Sequence, residues 1–164
     1  MALPPLVHYD TVSEYRLHYA RVYCRGNIQT FDGIRVYFNR SKFEHAFYES
    51  SARDGSKDVF SMVRAQRIDW IKGTLEHPEA ALFEGWDKAT RQSDAKRRVA
   101  VFYEEFVVVI AMGLRNDGTL KADFVTCYQA DQSIGKIRES PRWSRDACLR
   151  LLRSTCRGKP KKGR

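Results

Sequence analysis

The chain has no long apolar run. No stretch of its 164 residues approaches the roughly 20 consecutive apolar residues that a membrane-spanning helix needs. The first seven residues, MALPPLV, also lack the charged and then apolar pattern of a secretory signal. The sequence therefore predicts no membrane partner and a cytoplasmic location.

Cysteine is scarce, and the metal and phosphate motifs are missing. The four cysteines form no CxxC pair, so the sequence favours neither a zinc site nor a disulfide framework. HExxH, clustered Asp-x-Asp, GxGxxG and GxxxxGK[ST] do not occur. We therefore predict no metal site and no cofactor, and nucleotide-dependent enzymes are disfavoured. A Ser-His-Asp hydrolase has little support either, because Gly-x-Ser-x-Gly is absent.

Linker-like composition is missing as well. Pro, Gly and Ser are scattered, and no repeat or low-complexity stretch precedes the C-terminal end. With 43% hydrophobic and 30% charged residues, the chain has the size and composition of one globular domain with a core. We predict a single domain over residues 1–156, followed by a basic tail at 157–164.

Positive charge is present in excess, and it is unevenly distributed. Residues 1–130 carry 18 Lys and Arg against 17 Asp and Glu, whereas residues 131–164 carry 11 against 3. Nearly all of the net charge of +9 therefore lies in the last fifth of the chain. Such a zone attracts anionic partners in a salt-dependent way, although a basic end can also be only a solubilising tail.

Capping patterns and apolar periodicity predict the helices. Thr11-Val-Ser-Glu14 and Ser41-Lys-Phe-Glu44 both have the capping-box pattern, and Asp58 and Ser144 are suitable N-caps. The predicted helices run from 11 to about 24, from 41 over a short stretch, from 58 to about 75, briefly around 136, and from 144 to about 156.

Runs of Val, Ile and Phe predict the strands. Asn116-Asp-Gly118 is a strong turn signal between two such runs, and Glu104-Glu105 separates two others as a hairpin or bulged bend. The polar stretch 84–94 is predicted to be a loop. The predicted strands are 34–38, 97–103, 106–114 and 120–129. We expect an α+β fold in which N-terminal helices pack on a roughly four-stranded antiparallel sheet, with a C-terminal helix.

The run FVTCY carries hydroxyl groups where a core strand would not. Strict alternation predicts that Phe124, Thr126 and Tyr128 share one face of the sheet. The next segment, KIRESPRW, supplies Lys136 and Arg138. Hydroxyl donors beside cations are typical of a site for a phosphate-containing ligand.

His45 is the first candidate for proton transfer. Phe43 and Phe47 form an apolar stripe at i and i+4, so His45 is predicted to lie off that stripe and to stay accessible. Imidazole exchanges protons near neutral pH, as cleavage of RNA by its own 2′-OH requires. A surface histidine without a role is the alternative.

Three arginines are candidates for binding phosphate. Arg64 and Arg67 are predicted to lie on the apolar side of their helix, where a guanidinium needs a partner or a wet cleft. They could stabilise the charge of a phosphate transition state, or form salt bridges to Asp69, Glu104 or Glu105. Arg97 and Arg98 point to opposite faces of one strand, so at most one of them joins the site.

Five blocks occur in a recognisable order: FEHAFYES, RAQRIDWIKGTLEHP, FVVVI, FVTCYQAD and KIRESPRW. Over about residues 31 to 143 the chain resembles the phage-associated nuclease domains of the barnase, EndoU, colicin and RelE-like (BECR) superfamily. The resemblance implies a compact α+β fold, helices followed by a four-stranded antiparallel sheet, that cleaves RNA without metal. It also implies a toxin or a mobile-element protein.

The residues and the resemblance together predict a ribonuclease that gives cyclic phosphate products. His45 is the general base or acid, Thr126 donates a hydrogen bond, and Tyr128 stacks on a base or shares proton transfer. Arg67 and Lys136 hold the phosphate. The predicted catalytic residues are His45, Arg67, Thr126 and Lys136, and the predicted substrate-binding residues are Arg64, Arg98, Tyr128 and Arg138.

Two alternatives remain open. One is a non-catalytic nucleic-acid-binding module that uses the basic C-terminal region and aromatic side chains such as Tyr128 and Trp143. The other is an interaction domain of a phage or conjugative element. The predicted partners are RNA, with tRNA among the candidates, and an inhibitor protein.

Overall fold

The computed structural model describes residues 3–50 and 58–158. It is a mixed α+β structure whose helices pack mainly on one face of a sheet. The helices are α1 Val12–Tyr19, which continues as the π-helical segment Ala20–Cys24, α2 Lys42–Phe47, α3 Met62–Gln66, α4 Ile68–Glu76, α5 Ile134–Glu139 and α6 Arg145–Gly158. The strands are β1 Ile28–Gln29, β2 Arg35–Tyr37, β3 Tyr48–Glu49, β4 Val59–Phe60, β5 Ala81–Asp87, β6 Gln92–Phe102, β7 Phe106–Leu114 and β8 Leu120–Gln129.

The main sheet has six strands in the order β1-β2-β8-β7-β6-β5. Strand β2 pairs with β8 in parallel, and the other neighbours are antiparallel. The prediction of α+β architecture is confirmed, but the four-stranded antiparallel sheet is wrong. The short strand at 34–38 joins the sheet in the parallel sense, because the helix α2 and the chain after it separate it from its neighbour β8.

The region 84–94, predicted to be a loop, instead forms most of the β5–β6 hairpin. Trp86 pairs with Ser93 and Asp87 with Gln92, beyond an irregularity between Glu84 and Gly85. Trp86 is 56% exposed. This end of the hairpin projects past the core, so neither face of it needs apolar residues and the sequence carries no period-two pattern there.

One face of the sheet carries the main core. Helices α1, α2, α4 and α6 pack on it and bury aromatic side chains, among which Tyr19 contacts four phenylalanine rings at centroid distances of 5.7–6.4 Å. The phenol of Tyr19 donates to the carbonyl of Asn39 at 2.8 Å, so the buried hydroxyl is satisfied. This aromatic core fixes α2 against β8.

The opposite face carries a smaller apolar cluster that includes Phe83, Val99 and Val107. Ile134 and Ile137 of α5 pack against it. After α5 the chain passes along the β5 edge, where Glu84 N donates to the Pro141 carbonyl and Trp143 N to the Leu82 carbonyl. This segment covers the edge strand, which would otherwise present unpaired backbone groups, and leads into α6.

The predicted helix caps and helix bounds are confirmed only in part. The Thr11 side chain accepts from Glu14 N at 3.3 Å, so the first capping box is confirmed. Ser41 makes no capping bond, and its hydroxyl donates to the Asn39 side chain instead. The single helix predicted from 58 to 75 is wrong: residues 59–60 are a strand, Ser61 caps α3, and a non-helical residue at 67 separates α3 from α4.

Among the described residues, no helix combines the length and the apolar character needed to cross a membrane.

Candidate functional site

A β-bulge in β8 determines where its polar side chains point. Ile110 pairs with Phe124 and Val109 pairs with Thr126, so Val125 is an extra residue on β8. Alternation shifts at that point: Phe124 and Cys127 lie in the main core, whereas Tyr128 packs against the cluster on the other face. The prediction that Phe124, Thr126 and Tyr128 share one face is therefore wrong.

Helix α2 lies against this bulged end of β8. The Thr126 hydroxyl donates to the backbone carbonyl of His45 at 3.4 Å. Phe43 and Phe47 are buried and the His45 side chain is exposed, as the spacing predicts. Thr126 therefore lies next to the backbone of α2 at His45, whose imidazole is exposed.

Arg64, on α3, links the same elements. Its Nη1 donates to the Ala46 carbonyl at 3.2 Å, its Nε lies 3.2 Å from Glu49 Oε1, and its guanidinium lies 5.9 Å from the Tyr128 ring centroid. The Arg64 side chain is 18% exposed. A guanidinium placed between α2 and β8 in this way can reach solvent while its stem stays packed.

The phenol of Tyr128 has a raised pKa. Burial raises it, and the nearby charge of Arg64 offsets that rise only in part. Since the ordinary pKa of tyrosine is already about 10, the phenol stays protonated at neutral pH. Tyr128 can therefore donate a hydrogen bond or a proton there, but it cannot serve as a base.

Arg67 reaches the turn between β6 and β7. Its Nη2 lies 3.6 Å from Glu104 Oε2, and its Nη1 donates to the Val63 carbonyl at 3.0 Å. Its guanidinium also lies over the Trp70 ring at 4.9 Å. The predicted salt bridge to Glu104 is thus present.

The turn itself has unusual backbone geometry. Glu104 and Glu105 have φ values of 54° and 58°, and Phe106 N donates to the Tyr103 carbonyl at 3.1 Å. Two consecutive positive φ values define a type I′ hairpin turn, which normally carries Asn-Gly. Placing two glutamates there costs conformational energy, and such strain often accompanies functional sites.

This strained turn separates two clefts. The first cleft, of about 440 Å³, extends from Arg64 to the Glu104–Glu105 turn and the end of β8. The second, of about 260 Å³, lies on the α5 side, where Arg138 Nη2 is 3.9 Å from Glu105 Oε1. The first cleft is lined by Glu49, Ser61, Val63, Arg64, Glu104, Glu105, Gln129, Ala130 and Asp131.

The first cleft is acidic. Four of its lining side chains are carboxylates, and Arg64 is the cation among them. Glu49 forms an ion pair with Arg64, and Glu104 forms one with Arg67. Sequence reasoning missed Glu49 and Asp131, because a lone carboxylate near a strand end gives no local signal; the Glu104-Glu105 pair marked the turn but not its position beside the site.

Two predicted site residues are not brought together with the others. Arg98 is fully buried, and its Nη1 contacts both Asp32 oxygens at 3.0 Å between the rings of Phe31 and Trp143. A substrate could reach it only by displacing that core, so we leave Arg98 out of the site. Lys136 is exposed on α5, which packs on the face of the sheet opposite to the main core and α2.

A hydroxyl–imidazole–carboxylate arrangement lies between α1 and α4, away from the clefts. The Tyr9 hydroxyl is 2.9 Å from His18 Nδ1, and His18 Nε2 is 2.7 Å from Asp69 Oδ1. His18 is buried, and neither of the two clefts is lined by these residues. The arrangement satisfies buried polar groups and holds the N-terminal segment to the helices.

Within residues 3–50 and 58–158, no group of three or more His, Cys, Asp and Glu side chains could hold a metal ion. Comparisons of the chain with family models, with curated proteins and with solved structures found no match.

Proposed function

We propose that this protein cleaves RNA by attack of a ribose 2′-OH on the adjacent phosphate. The 2′ oxygen bonds to phosphorus, the bond to the 5′ oxygen breaks, and the products are a cyclic phosphate and a free 5′-OH. The observation that carries the proposal is the position of Arg64, which donates to the Ala46 carbonyl next to the His45 carbonyl that accepts from Thr126, and lies 5.9 Å from the Tyr128 ring.

Each residue has a role that its surroundings permit. His45 is exposed, so a substrate can reach it, and we assign it the base that takes the 2′-OH proton. Tyr128 is the acid that protonates the 5′ oxygen, since its raised pKa keeps the phenol protonated. Thr126 orients α2 by donating to the His45 carbonyl, and its single hydroxyl proton would have to leave that carbonyl to bind a phosphate oxygen.

The arginines supply positive charge for the phosphate. Arg64 lines the first cleft and holds Glu49 at 3.2 Å, so a bound phosphate would replace that carboxylate. Arg67 and Arg138 reach the same turn from its two sides. Lys136 stays a predicted phosphate contact from α5.

The first experiment is incubation of the purified protein with total RNA in EDTA, followed by mapping of the product ends. We expect cyclic phosphate and 5′-OH ends, and we expect the His45→Ala variant to lose about 100-fold or more of the rate, the usual effect of removing a general acid or base. His8→Ala is the matched control, because His8 is also exposed but lies outside the site.

Equal rates in the parent and the His45→Ala variant would remove the proposed role of His45. Absence of cleavage by the parent, with RNA retained in a salt-sensitive way, would favour the second candidate function. That candidate is a non-catalytic RNA-binding module. The observation in its favour is that exposed cations such as Lys88 and Arg91 lie away from the turn, where Arg64, Arg67 and Arg138 are each within 4 Å of a carboxylate.

We infer that the ancestry is that of the BECR nucleases, which the ordered sequence blocks resemble. A role as a toxin or in a mobile element, and an inhibitor protein as partner, belong to the same proposal. Expression with and without the His45→Ala change tests it: the parent should arrest growth, and the variant should not.

A further inference from the structure

The cations of this protein fall into two groups. Those near the clefts and in the core are paired, as Arg64 is with Glu49, and Arg98 with Asp32. Several exposed cations elsewhere have no carboxylate within 4.0 Å among the described residues; they include Lys88 and Arg91 in the β5–β6 hairpin, Arg150 and Arg153 on α6, and Arg21 and Arg25 after α1. Unpaired, solvated cations are the ones available to an anionic partner at no cost in broken salt bridges.

An exposed aromatic ring lies in the same hairpin. Trp86 is 56% exposed, and it is two residues from Lys88 at the turn. The nearest acidic side chain, Asp87, accepts from the Ala89 backbone at 2.9 Å, and the charge of Arg97 is among the causes of its lowered pKa. The Asp87 carboxylate is therefore engaged in part by the backbone of the hairpin turn.

Helix α6 begins beside this hairpin. The indole of Trp143, just before the helix, donates to the Ala95 carbonyl at 3.0 Å in the irregular part of β6. Cys148 of α6 is buried, whereas Arg150 and Arg153 are exposed. The helix thus places its arginines on the outside of the molecule while its inner side packs on the sheet.

The hairpin residues lie at the end of the sheet away from the proposed site. The 11 residues of β6 run from Gln92, at the hairpin tip, to Phe102, next to the Glu104–Glu105 turn. At roughly 3.3 Å per residue, that strand spans about 30 Å. We call Trp86, Lys88 and Arg91 the distal surface.

We propose that the distal surface binds single-stranded RNA, holding the same strand whose cleavage is proposed at the other end of the sheet. The RNA backbone is contacted by Lys88 and Arg91, and one base stacks on Trp86. Aromatic rings interleaved with unpaired cations are how proteins bind single strands without reading their sequence. The statement that the bound RNA is also the substrate rests on the proposed function. Binding itself does not, because it can be measured without cleavage.

The test is made in the His45→Ala background, so that bound RNA stays intact. Binding of a long single-stranded RNA is measured by fluorescence anisotropy at several salt concentrations. We expect Trp86→Ala to weaken binding by about 5- to 150-fold, the loss of one stacked base. Lys88→Glu with Arg91→Glu should weaken binding further and lower the slope of log affinity against log salt by about one for each lost phosphate contact.

Matched controls distinguish RNA binding by the distal surface from an effect of the protein's net charge. Arg21→Glu with Arg25→Glu changes the net charge equally at exposed positions of the α1 end, and Leu17→Ala removes another exposed apolar side chain. Both controls should bind RNA like the parent. Circular dichroism checks that every variant is folded.

Several outcomes would overturn the inference. They are no binding of RNA by the His45→Ala protein, an equal loss in the Arg21/Arg25 control, or unchanged binding after Trp86→Ala. Tighter binding to vesicles of phosphatidylserine than to RNA would also overturn it, in favour of a membrane surface. None of these results depends on cleavage, so failure of the inference is distinguishable from failure of the proposed ribonuclease activity.

Discussion

At the scale of single residues, Arg64 is the side chain through which most of the candidate site is connected. It contacts the backbone of α2, the carboxylate of Glu49 and the ring of Tyr128. A guanidinium can make these contacts together because it is planar and has five donors. Its pairing with Glu49 means that any anionic substrate competes with an internal carboxylate.

Glu49→Gln tests that competition. We expect the variant to bind RNA more tightly, with KM lowered about 2- to 5-fold, because an ion pair that is half exposed contributes at most about 1 kcal/mol. Steady-state kinetics on a fluorogenic RNA, or anisotropy in the His45→Ala background, gives the value.

Glu44→Gln is the control for this change. Glu44 pairs with Arg16 at 3.0 Å and lines neither cleft, so its loss alters the net charge equally without releasing Arg64. A higher KM in Glu49→Gln, or equal effects of the two changes, would contradict the competition.

At the scale of secondary-structure elements, two irregularities position the site. The bulge at Val125 turns the end of β8, and the π-helical segment Ala20–Cys24 is followed, two residues beyond its end, by the crowded glycine Gly26. A Cβ at Gly26 would lie 1.9 Å from the Val22 carbonyl oxygen. Backbone atoms cannot yield as a flexible side chain can, so only glycine fits there.

Gly26→Ala should therefore destabilise the protein. We expect a loss of more than about 1 kcal/mol in the free energy of unfolding, because the backbone must shift to admit the methyl group. Urea denaturation followed by circular dichroism measures it.

Gly135→Ala is the control for this change, because Gly135 lies in a helix and has free space around it. A Cβ at Gly135 meets nothing within 4 Å, and α5 includes this residue. Alanine there should leave stability unchanged or raise it by about 0.5–1 kcal/mol. If both alanine variants unfolded at the same urea concentration, the crowding argument for Gly26 would fail.

At the scale of the whole molecule, one buried ion pair joins three distant parts of the chain. Arg98 of β6 holds Asp32 of the β1–β2 turn, and Arg145 of α6 donates to the Asp32 carbonyl at 3.2 Å. Burial alone would raise the pKa of Asp32, but the Thr30 hydroxyl and the Arg98 charge together hold it below its ordinary value of 3.8. Folding is thereby linked to ionisation of this carboxylate.

Asp32→Ala should cost about 3 kcal/mol at neutral pH, since it leaves the buried Arg98 charge without a partner. The ionised carboxylate stabilises the fold fully above its ordinary pKa, and that contribution is lost as pH falls through the lower pKa of the folded state. The stability difference between parent and variant should thus be constant above about pH 5 and shrink below about pH 4.

Thermal unfolding across this pH range gives the comparison. Asp123→Ala serves as control, because Asp123 is exposed on β8 and its loss should change stability little at any pH. A stability difference for Asp32→Ala that did not depend on pH would show that the carboxylate acts only through packing.

Features that depend on neighbouring residues could be predicted from the sequence alone. The capping box at Thr11, the turn at Asn116-Asp-Gly118, the exposure of His45 and the strands β7 and β8 all follow from short-range patterns. The excess of positive charge near the C-terminus is likewise a property of the sequence.

The pairing of distant groups could not be predicted from the sequence and is seen only in the folded molecule. The parallel contact of β2 with β8, the bulge at Val125 and the burial of Arg98 beside Asp32 depend on residues far apart in the chain. The pairing of Arg64 with Glu49 and of Arg138 with Glu105 also becomes visible only when the strands are assembled, and the same assembly selects Glu104 for Arg67 among its predicted partners. The reason is physical: local propensity acts over a few residues, whereas burial and charge pairing are set by which elements meet in space.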